Sequence, residues 1–290
     1  MSNTRDYVIV TDSGCDLTPQ QREAMELAYV PLNAFMKDTP THPCTLVGAE
    51  FYNALRNGHV VCTSAANLGA FRAVYTHILD EGKDILFLSF SSALSCMCAT
   101  ARLAAEELSA EYPDRKIITV DSLSASMGQA LLLYFAVQKK REGATIEELE
   151  TYLLENRLHL IHWFTVDDLM FLKRGGRLSS ISAVAGTLLG IKPVLHVSNE
   201  GKLIAKAKVR GRKNALLALA KHFADEVYDP TQQVYISHGD DIEAAQFVRD
   251  TLMKEYGATN VTIGDIGPVI GAHSGPGTIA LFYMGKGREL

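Results

Sequence analysis

The strongest strand signal in the chain is Asp84-Ile-Leu-Phe-Leu-Ser-Phe90. This short, mostly apolar run is followed by the polar pair Ser91-Ser92 and then by a helical pattern at about 95–111. A continuous apolar run of this length predicts a strand that is buried on both faces. Further apolar runs, each bounded by polar or turn residues, stand at 7–11, 60–64 and 116–120. Because these strands alternate with helices of ten or more residues, they predict a mostly parallel sheet with helices on both faces.

The pattern changes after about residue 160. A strand at 161–166 and a short helix at 167–171 precede the basic turn Lys173-Arg-Gly-Gly-Arg177. The runs 192–197 and 203–209 flank a polar turn and predict a β-hairpin. Further helices (184–189, 212–227, 241–256) and strands (233–237, 261–265) complete this half.

The sequence therefore predicts an α/β protein with two α/β domains. We expect an N-terminal domain, residues 1–163, with the mostly parallel sheet. We expect a C-terminal domain, residues 164–290, with a mixed sheet and helices. The length of 290 residues supports two domains, because single cores rarely grow beyond about 250–300 residues.

The composition excludes several classes of protein. The net charge is 28 − 33 = −5, so the basic excess of a nucleic-acid-binding protein is absent. Five cysteines, with neither a C-x-x-C pair nor zinc spacing, indicate reduced thiols rather than a disulfide framework or a metal site. The longest apolar run, 130–137, is far shorter than a membrane span, and the N-terminal apolar run is too short for a signal peptide. We expect a cytoplasmic protein.

A second informative stretch is Ile266-Gly-Pro-Val-Ile-Gly-Ala-His-Ser-Gly-Pro-Gly-Thr278. Its four glycines and two prolines surround one histidine, His273. Glycine allows close backbone approach and proline removes conformers, so a stiff loop could present this ring to a small polar group. The alternative is a tight turn with an incidental histidine.

Polar residues also follow the predicted strands. They stand at Asp12-Ser13, at Thr63-Ser64 and between Ser89 and Ser95. Ligands of parallel sheets bind beyond the carboxyl ends of the strands, so one site could collect several of these groups. We expect Ser95 to cap its helix, at an end that can also receive an anion. The alternatives are an ordinary turn at Thr63-Ser64 and solvated charges at Arg177 and Arg210.

No common catalytic motif is present. The chain lacks a G-x-x-x-x-G-K-[ST] phosphate loop, a G-x-G-x-x-G motif after the first strand, a G-x-S-x-G elbow and an H-E-x-x-H metal site. Hydroxyls, one histidine and arginines suit recognition of an anionic head group better than bond breaking. The alternative is a hydrolase or phosphotransferase with His273 as base and Ser95 or Ser274 as nucleophile.

The chain resembles the DegV family of bacterial fatty-acid-binding proteins over about residues 7–284. The matching positions, in order, are Asp12-Ser13 with Asp16-Leu17, Thr63-Ser64, Ser91-Ser92-Ala-Leu-Ser95, Leu172-Lys-Arg-Gly-Gly-Arg177, Lys192-Pro193, Arg210 and Gly271-Ala-His-Ser-Gly-Pro-Gly277. Two segments depart from the family pattern. The family usually reads Thr-Ser-Gln-Pro at 63–66 and Leu-Ser-Gly-Thr at 94–97, where this chain has Thr-Ser-Ala-Ala and Leu-Ser-Cys-Met.

The resemblance implies two α/β domains with a long-chain fatty acid in an apolar tunnel between or beneath them. It implies that Thr63 and Ser95 hydrogen-bond the carboxylate, with His273 close to it, and we expect Ser64 to be a ligand-binding residue as well. Arg177 and Arg210 would lie near the head group or on the face shown to a partner. That partner would be an ATP-dependent fatty-acid kinase that converts the bound acid to an acyl-phosphate for phospholipid synthesis. The protein itself would be a carrier and not an enzyme, with no cofactor, with no metal and with room for transient contact with a membrane.

Overall fold

The computed structural model describes residues 6–178 and 190–288. The strands are β1 (Tyr7–Asp12), β2 (Ala28–Val30), β3 (Asn33–Met36), β4 (Val61–Ser64), β5 (Asp84–Ser89), β6 (Ile117–Asp121), β7 (Leu160–Thr165), β8 (Ile191–Val197), β9 (Leu203–Arg210), β10 (Gln233–His238), β11 (Asn260–Asp265) and β12 (Ile279–Met284). The α-helices are α1 (Pro19–Ala24), α2 (Gly48–Arg56), α3 (Leu68–Asp80), α4 (Met97–Glu111), α5 (Met127–Arg141), α6 (Ile146–Asn156), α7 (Met170–Arg174), α8 (Arg212–Glu226), α9 (Ile242–Glu255) and α10 (Pro268–Ser274).

The N-terminal sheet is parallel, in the order β2-β1-β5-β6. Strand β5 is buried along its whole length, as its apolar run predicts. Ile85 and Phe87 pack into one cluster with α3 and α4, whereas Leu86 and Leu88 pack into another with α5 and α6. Successive strand side chains point to opposite faces, so a continuous apolar run requires a helical layer on both sides. The predicted fold class is confirmed for this half.

The C-terminal sheet is mixed, in the order β11-β10-β12-β7-β8-β9. Only the pair of β10 and β11 is parallel, and β8 and β9 form the predicted hairpin. Helices α8 and α9 contribute to the apolar cluster on one face of this sheet. The mixed sheet with helices is therefore confirmed.

Helix α5 lies between the two sheets. Its apolar residues Leu131, Leu132 and Leu133 are all fully buried, so it has no solvent-facing stripe at this point. They share one cluster with Leu86 of the N-terminal sheet and Phe282 of the C-terminal sheet. A helix segment that is apolar on all sides must be buried on all sides. Here residues of both sheets bury α5, so the two sheets share a core. The boundary at 163/164 falls within β7 and stays a prediction.

Several local predictions need correction. The segment 266–278 is not a loop throughout, because it contains α10, with Pro268 in the first turn, where proline is tolerated. The strand expected at 60–64 is β4, and it does not join the parallel sheet but pairs antiparallel with β3 in a separate small sheet. The short helix expected at 167–171 begins later, as α7. The helix expected at 184–189 lies outside the described residues.

Candidate functional site

A cavity of about 290 Å³ lies between the loops of the N-terminal half and the α5-facing side of the C-terminal sheet. Apolar side chains from both halves form most of its wall: Leu32, Phe90, Leu94, Ala125, Phe164, Leu172, Val197, Leu203, Ile266, Val269, Ile270, Ala280 and Phe282. Ligand sites in proteins run from about 300 to 1,000 Å³ and are mostly apolar with a few placed polar groups. The cavity is at the small end of that range and suits a slender apolar ligand.

Five of the six predicted site residues line this cavity, namely Thr63, Ser64, Ser95, Arg177 and His273. They come from four separate parts of the chain, at the end of β4, before α4, after α7 and within α10. Arg210 does not line the cavity. It lies exposed at the end of β9.

Thr63 and His273 form a direct pair. The Oγ1 atom of Thr63 lies 2.7 Å from Nε2 of His273, although the two residues are 210 positions apart in sequence. Strand β4 presents Thr63 through its pairing with β3, where Thr63 lies opposite Ala34. Helix α10 contacts β4 and presents the imidazole from the other side. A carboxylate placed here would meet a hydroxyl and a ring nitrogen together.

The imidazole of His273 is uncharged at neutral pH. Burial, and after it the positive charges of Arg177 and Arg174, together lower its pKa to about 4. A neutral imidazole carries one N–H and one lone pair. The ring can therefore hydrogen-bond a head group without adding a charge.

The prediction that Ser95 is the N-cap of α4 is wrong by one position. Cys96 occupies the cap and makes no side-chain capping bond. The Ser95 Oγ atom accepts only a long hydrogen bond, 3.4 Å, from the backbone N–H of Met97. Within the described residues the Ser95 hydroxyl donates to no partner, so its proton can serve a ligand, and the N-cap residue supplies no side-chain acceptor to the helix. This arrangement favours an anion beside Ser95.

The two departures from the DegV pattern meet in the structure. The Met97 Sδ atom accepts a hydrogen bond, 3.2 Å, from the backbone N–H of Ala66. The family usually has proline at position 66, which has no N–H to satisfy. Because Ala66 restores that donor inside the protein, the sulfur of Met97 supplies the acceptor that a buried N–H needs.

Arg177 joins the end of α7 to the loop before Ser95. Its Nε donates to the carbonyl oxygen of Leu94 at 3.2 Å, and one terminal nitrogen donates to the carbonyl oxygen of Gly175 at 2.5 Å. Arg177 has no carboxylate partner among the described ion pairs. Its charge is therefore available to an anionic ligand.

The sequence analysis did not single out every polar residue of the cavity, and His162 and Ser126 are two that it missed. His162 lies in β7, and its Nε2 is 2.6 Å from Oγ of Ser124. Ser126 precedes α5 and donates to Oδ2 of Asp16 at 2.6 Å. Period-two alternation would have placed His162 on the same face as Phe164. No comparable signal marks Ser126.

Within the described residues, Ser274 and His273 do not form the hydrogen-bonded pair that a serine nucleophile and its base would need. The Oγ atom of Ser274 is buried without a hydrogen-bond partner, and His273 Nε2 is directed at Thr63. A serine nucleophile needs its base within hydrogen-bond reach. Within residues 6–178 and 190–288, no group of three or more His, Cys, Asp or Glu side chains could hold a metal ion. The same part of the chain contains no helix that is long and apolar enough to cross a bilayer.

A family model described as "Uncharacterised protein, DegV family" matches residues 6–286. The chain belongs to the DegV family. A DegV domain-containing protein of Clostridium perfringens is 38% identical over 287 residues, which cover 98% of this chain and 99% of that protein.

Solved DegV structures share the whole fold. A fatty-acid-binding DegV family protein of Thermus thermophilus is 29% identical, with a TM-score of 0.85, over 97% of this chain and 100% of that chain. A DegV lipid-binding protein of Thermotoga maritima is also 29% identical, with a TM-score of 0.83, over 98% and 100% of the two chains. These descriptions are of lipid-binding proteins rather than of enzymes.

Proposed function

We propose that this DegV protein is a carrier that binds a long-chain fatty acid, with the acyl chain in the cavity and the carboxylate beside Thr63, Ser64, Ser95 and His273. The observation that carries the proposal is an apolar cavity whose polar groups gather at Thr63, His273, Ser95 and Arg177. The fatty-acid-binding description of the Thermus thermophilus relative supports the same ligand class.

The chain of the ligand would supply most of the affinity. Burial of one methylene contributes roughly 0.8 kcal/mol, so about fifteen methylenes contribute on the order of 12 kcal/mol before the costs of ordering. Each charge-assisted hydrogen bond to the head group adds roughly 1.5–3 kcal/mol. The head-group contacts therefore mainly determine the orientation of the bound ligand.

The charge pattern suits a carboxylate. Arg177 supplies a positive charge, the Ser95 hydroxyl and the uncapped start of α4 supply hydrogen-bond donors, and neutral His273 adds no second charge. A carboxylate that loses water needs such donors, because an ionised group without partners is very costly to bury.

We further propose that the carrier is cytoplasmic and presents the bound acid to an ATP-dependent fatty-acid kinase, which forms an acyl-phosphate for phospholipid synthesis. Arg210 would belong to the face that meets this partner, since it is exposed and lies away from the cavity. Loading from a membrane would need only transient contact.

The test is native mass spectrometry of protein purified from a bacterial host. A co-purifying mass of a fatty acid is the expected result. The delipidated protein should then take up oleate or palmitate in one-to-one ratio, whereas the methyl ester of the same acid should bind more weakly. Protein that stays empty when offered both acids would overturn the proposal.

A further inference from the structure

We infer that Gly175 is a positioning residue for the head-group site: its missing side chain lets the end of α7 close against Nδ1 of His273 and so holds the ring with Nε2 directed at Thr63. The inference deepens the proposed function and rests on it for its effect on binding. Its structural part, the orientation and protonation of the ring, can be tested on the empty protein.

The close approach is specific to one atom of the imidazole. A Cβ atom at position 175 would lie 2.2 Å from His273 Nδ1 and 3.2 Å from the two ring carbons beside it. Contacts below about 3.0 Å do not occur between a Cβ atom and a neighbouring heavy atom, so any other residue must push the ring away. The φ angle of Gly175 is −72°, which every residue adopts. Glycine is therefore required here for space and not for conformation.

The hydrogen-bond partners of the ring decide which nitrogen carries the proton. Within residues 6–178 and 190–288, the buried Nδ1 has no hydrogen-bond partner, while Nε2 bonds to Thr63 Oγ1 at 2.7 Å. Unpaired buried N–H groups are rarer than unpaired acceptors, so the proton of the neutral ring belongs on Nε2. The ring then donates to Thr63 Oγ1. The hydroxyl of Thr63, with its oxygen already accepting, is left to donate its own proton to the carboxylate.

The neighbouring Gly176 provides a matched control. It has a φ of +69° and no heavy atom within 4 Å of an added Cβ. Alanine at this position strains the backbone but touches nothing, whereas alanine at 175 fits the backbone and meets His273. A comparison of the two variants therefore separates the effect of strain in the turn from the effect of moving the His273 ring.

The first measurement is ¹⁵N NMR of the imidazole nitrogens in ligand-free protein. The chain has nine histidines, so the His273 signals are assigned by their loss in His273→Ala. We expect the pattern of a neutral ring protonated on Nε2 in the parent and in Gly176→Ala. In Gly175→Ala we expect that pattern to change. A parent ring protonated on Nδ1, or an unchanged pattern in Gly175→Ala, overturns the inference whether or not a fatty acid binds.

The second measurement is oleate affinity in a double-mutant cycle. Gly175→Ala should weaken binding about ten- to a hundredfold, the range for loss of one charge-assisted hydrogen bond. Gly176→Ala should stay within about threefold of the parent. In the His273→Ala background, Gly175→Ala should cause no further loss, since the added methyl group then has no imidazole to meet.

The remaining outcomes are also decisive. If Gly175→Ala fails to fold and the double variant folds, the clash with His273 is supported. If Gly175→Ala weakens binding equally in both backgrounds, or if neither variant folds, Gly175 acts independently of His273 and the inference is wrong. A parent that binds no oleate refutes the proposed function, and the NMR pattern still tests the ring.

Discussion

The two histidines of the cavity have similar contacts but different surroundings. In both, Nε2 lies next to a hydroxyl, Ser124 for His162 at 2.6 Å and Thr63 for His273 at 2.7 Å. In both, burial lowers the pKa of the ring. His162, however, is only 2% exposed and packs edge-to-face against Phe282, whereas His273 is partly exposed and lies beside Arg177.

The difference shows that a buried histidine–hydroxyl pair is not by itself a binding site. His162 belongs to the wall, where β7 holds it between Ser124 and Phe282. His273 is accompanied by the Ser95 hydroxyl and the Arg177 charge at the same cavity. We therefore expect changes at His162 to affect mainly the stability of the fold and changes at His273 to affect mainly the ligand.

The largest expected effect is on stability. His162→Ala removes a fully buried ring from β7 and should lower the free energy of unfolding by about 2–4 kcal/mol, the range for large-to-small core substitutions. His273→Ala should cost about 1 kcal/mol or less, because the ring is partly exposed. Urea unfolding followed by circular dichroism measures both. Equal losses in the two variants would contradict the distinction between them.

The next effect is on affinity. Thr63→Val removes a hydroxyl from the head-group site and should weaken oleate binding by roughly 1.5–3 kcal/mol, with little change in stability. The matched control is Thr119→Val, because Thr119 has a buried hydroxyl without a partner and does not line the cavity. Isothermal titration calorimetry compares the two. A similar loss of affinity in both variants would remove Thr63 from the site.

A third effect appears in the dependence of stability on pH. The folded pKa of His273 is about 4, below its ordinary value of 6.5, so the unfolded chain binds the extra proton between these values. Stability should therefore fall as pH drops from 6.5 towards 4, with at most about 1.4 kcal/mol per pH unit from one histidine.

His273→Gln removes this contribution, so its stability should fall less steeply with acid than that of the parent over the same window. Asp12 and Asp16 have raised pKa values and act in the opposite direction, but they are present in both proteins and cancel in the difference. Denaturant midpoints at a series of pH values provide the measurement. Parallel curves would mean that His273 titrates normally in the folded protein.

The smallest expected effect is at Arg210. Arg210→Ala should leave the free energy of unfolding within about 0.5 kcal/mol of the parent and should leave oleate affinity unchanged. Arg177→Ala, by contrast, should weaken oleate binding, because Arg177 lines the cavity and no carboxylate of the described residues forms an ion pair with it. Comparable losses of affinity in the two variants would show that Arg210 reaches the ligand.

The sequence was most informative where local pattern and final burial agree. Strand β5 and helix α4 were recognisable from the sequence. A continuous apolar run indicates a strand, and helical periodicity indicates the helix after it, without any knowledge of which distant segments pack against them. The segment around His273 was misread as a loop, since its glycines and prolines conceal the seven-residue helix α10. His162 and Ser126 were missed because a polar residue inside an apolar run carries no local sign of the cavity it faces.

The sequence by itself determined the two α/β halves, the order of their elements and, through the resemblance to DegV proteins, which side chains to examine. Periodicity and turn chemistry are local properties, so they can be recognised without knowing which segments pack together in the fold. Only the tertiary structure decided that Thr63 meets His273, that Gly175 closes against the ring and that Met97 accepts from Ala66. Such contacts join segments that are far apart in the chain, and a shift of a few tenths of an ångström would change them. The segments reach these positions only when both sheets pack on α5.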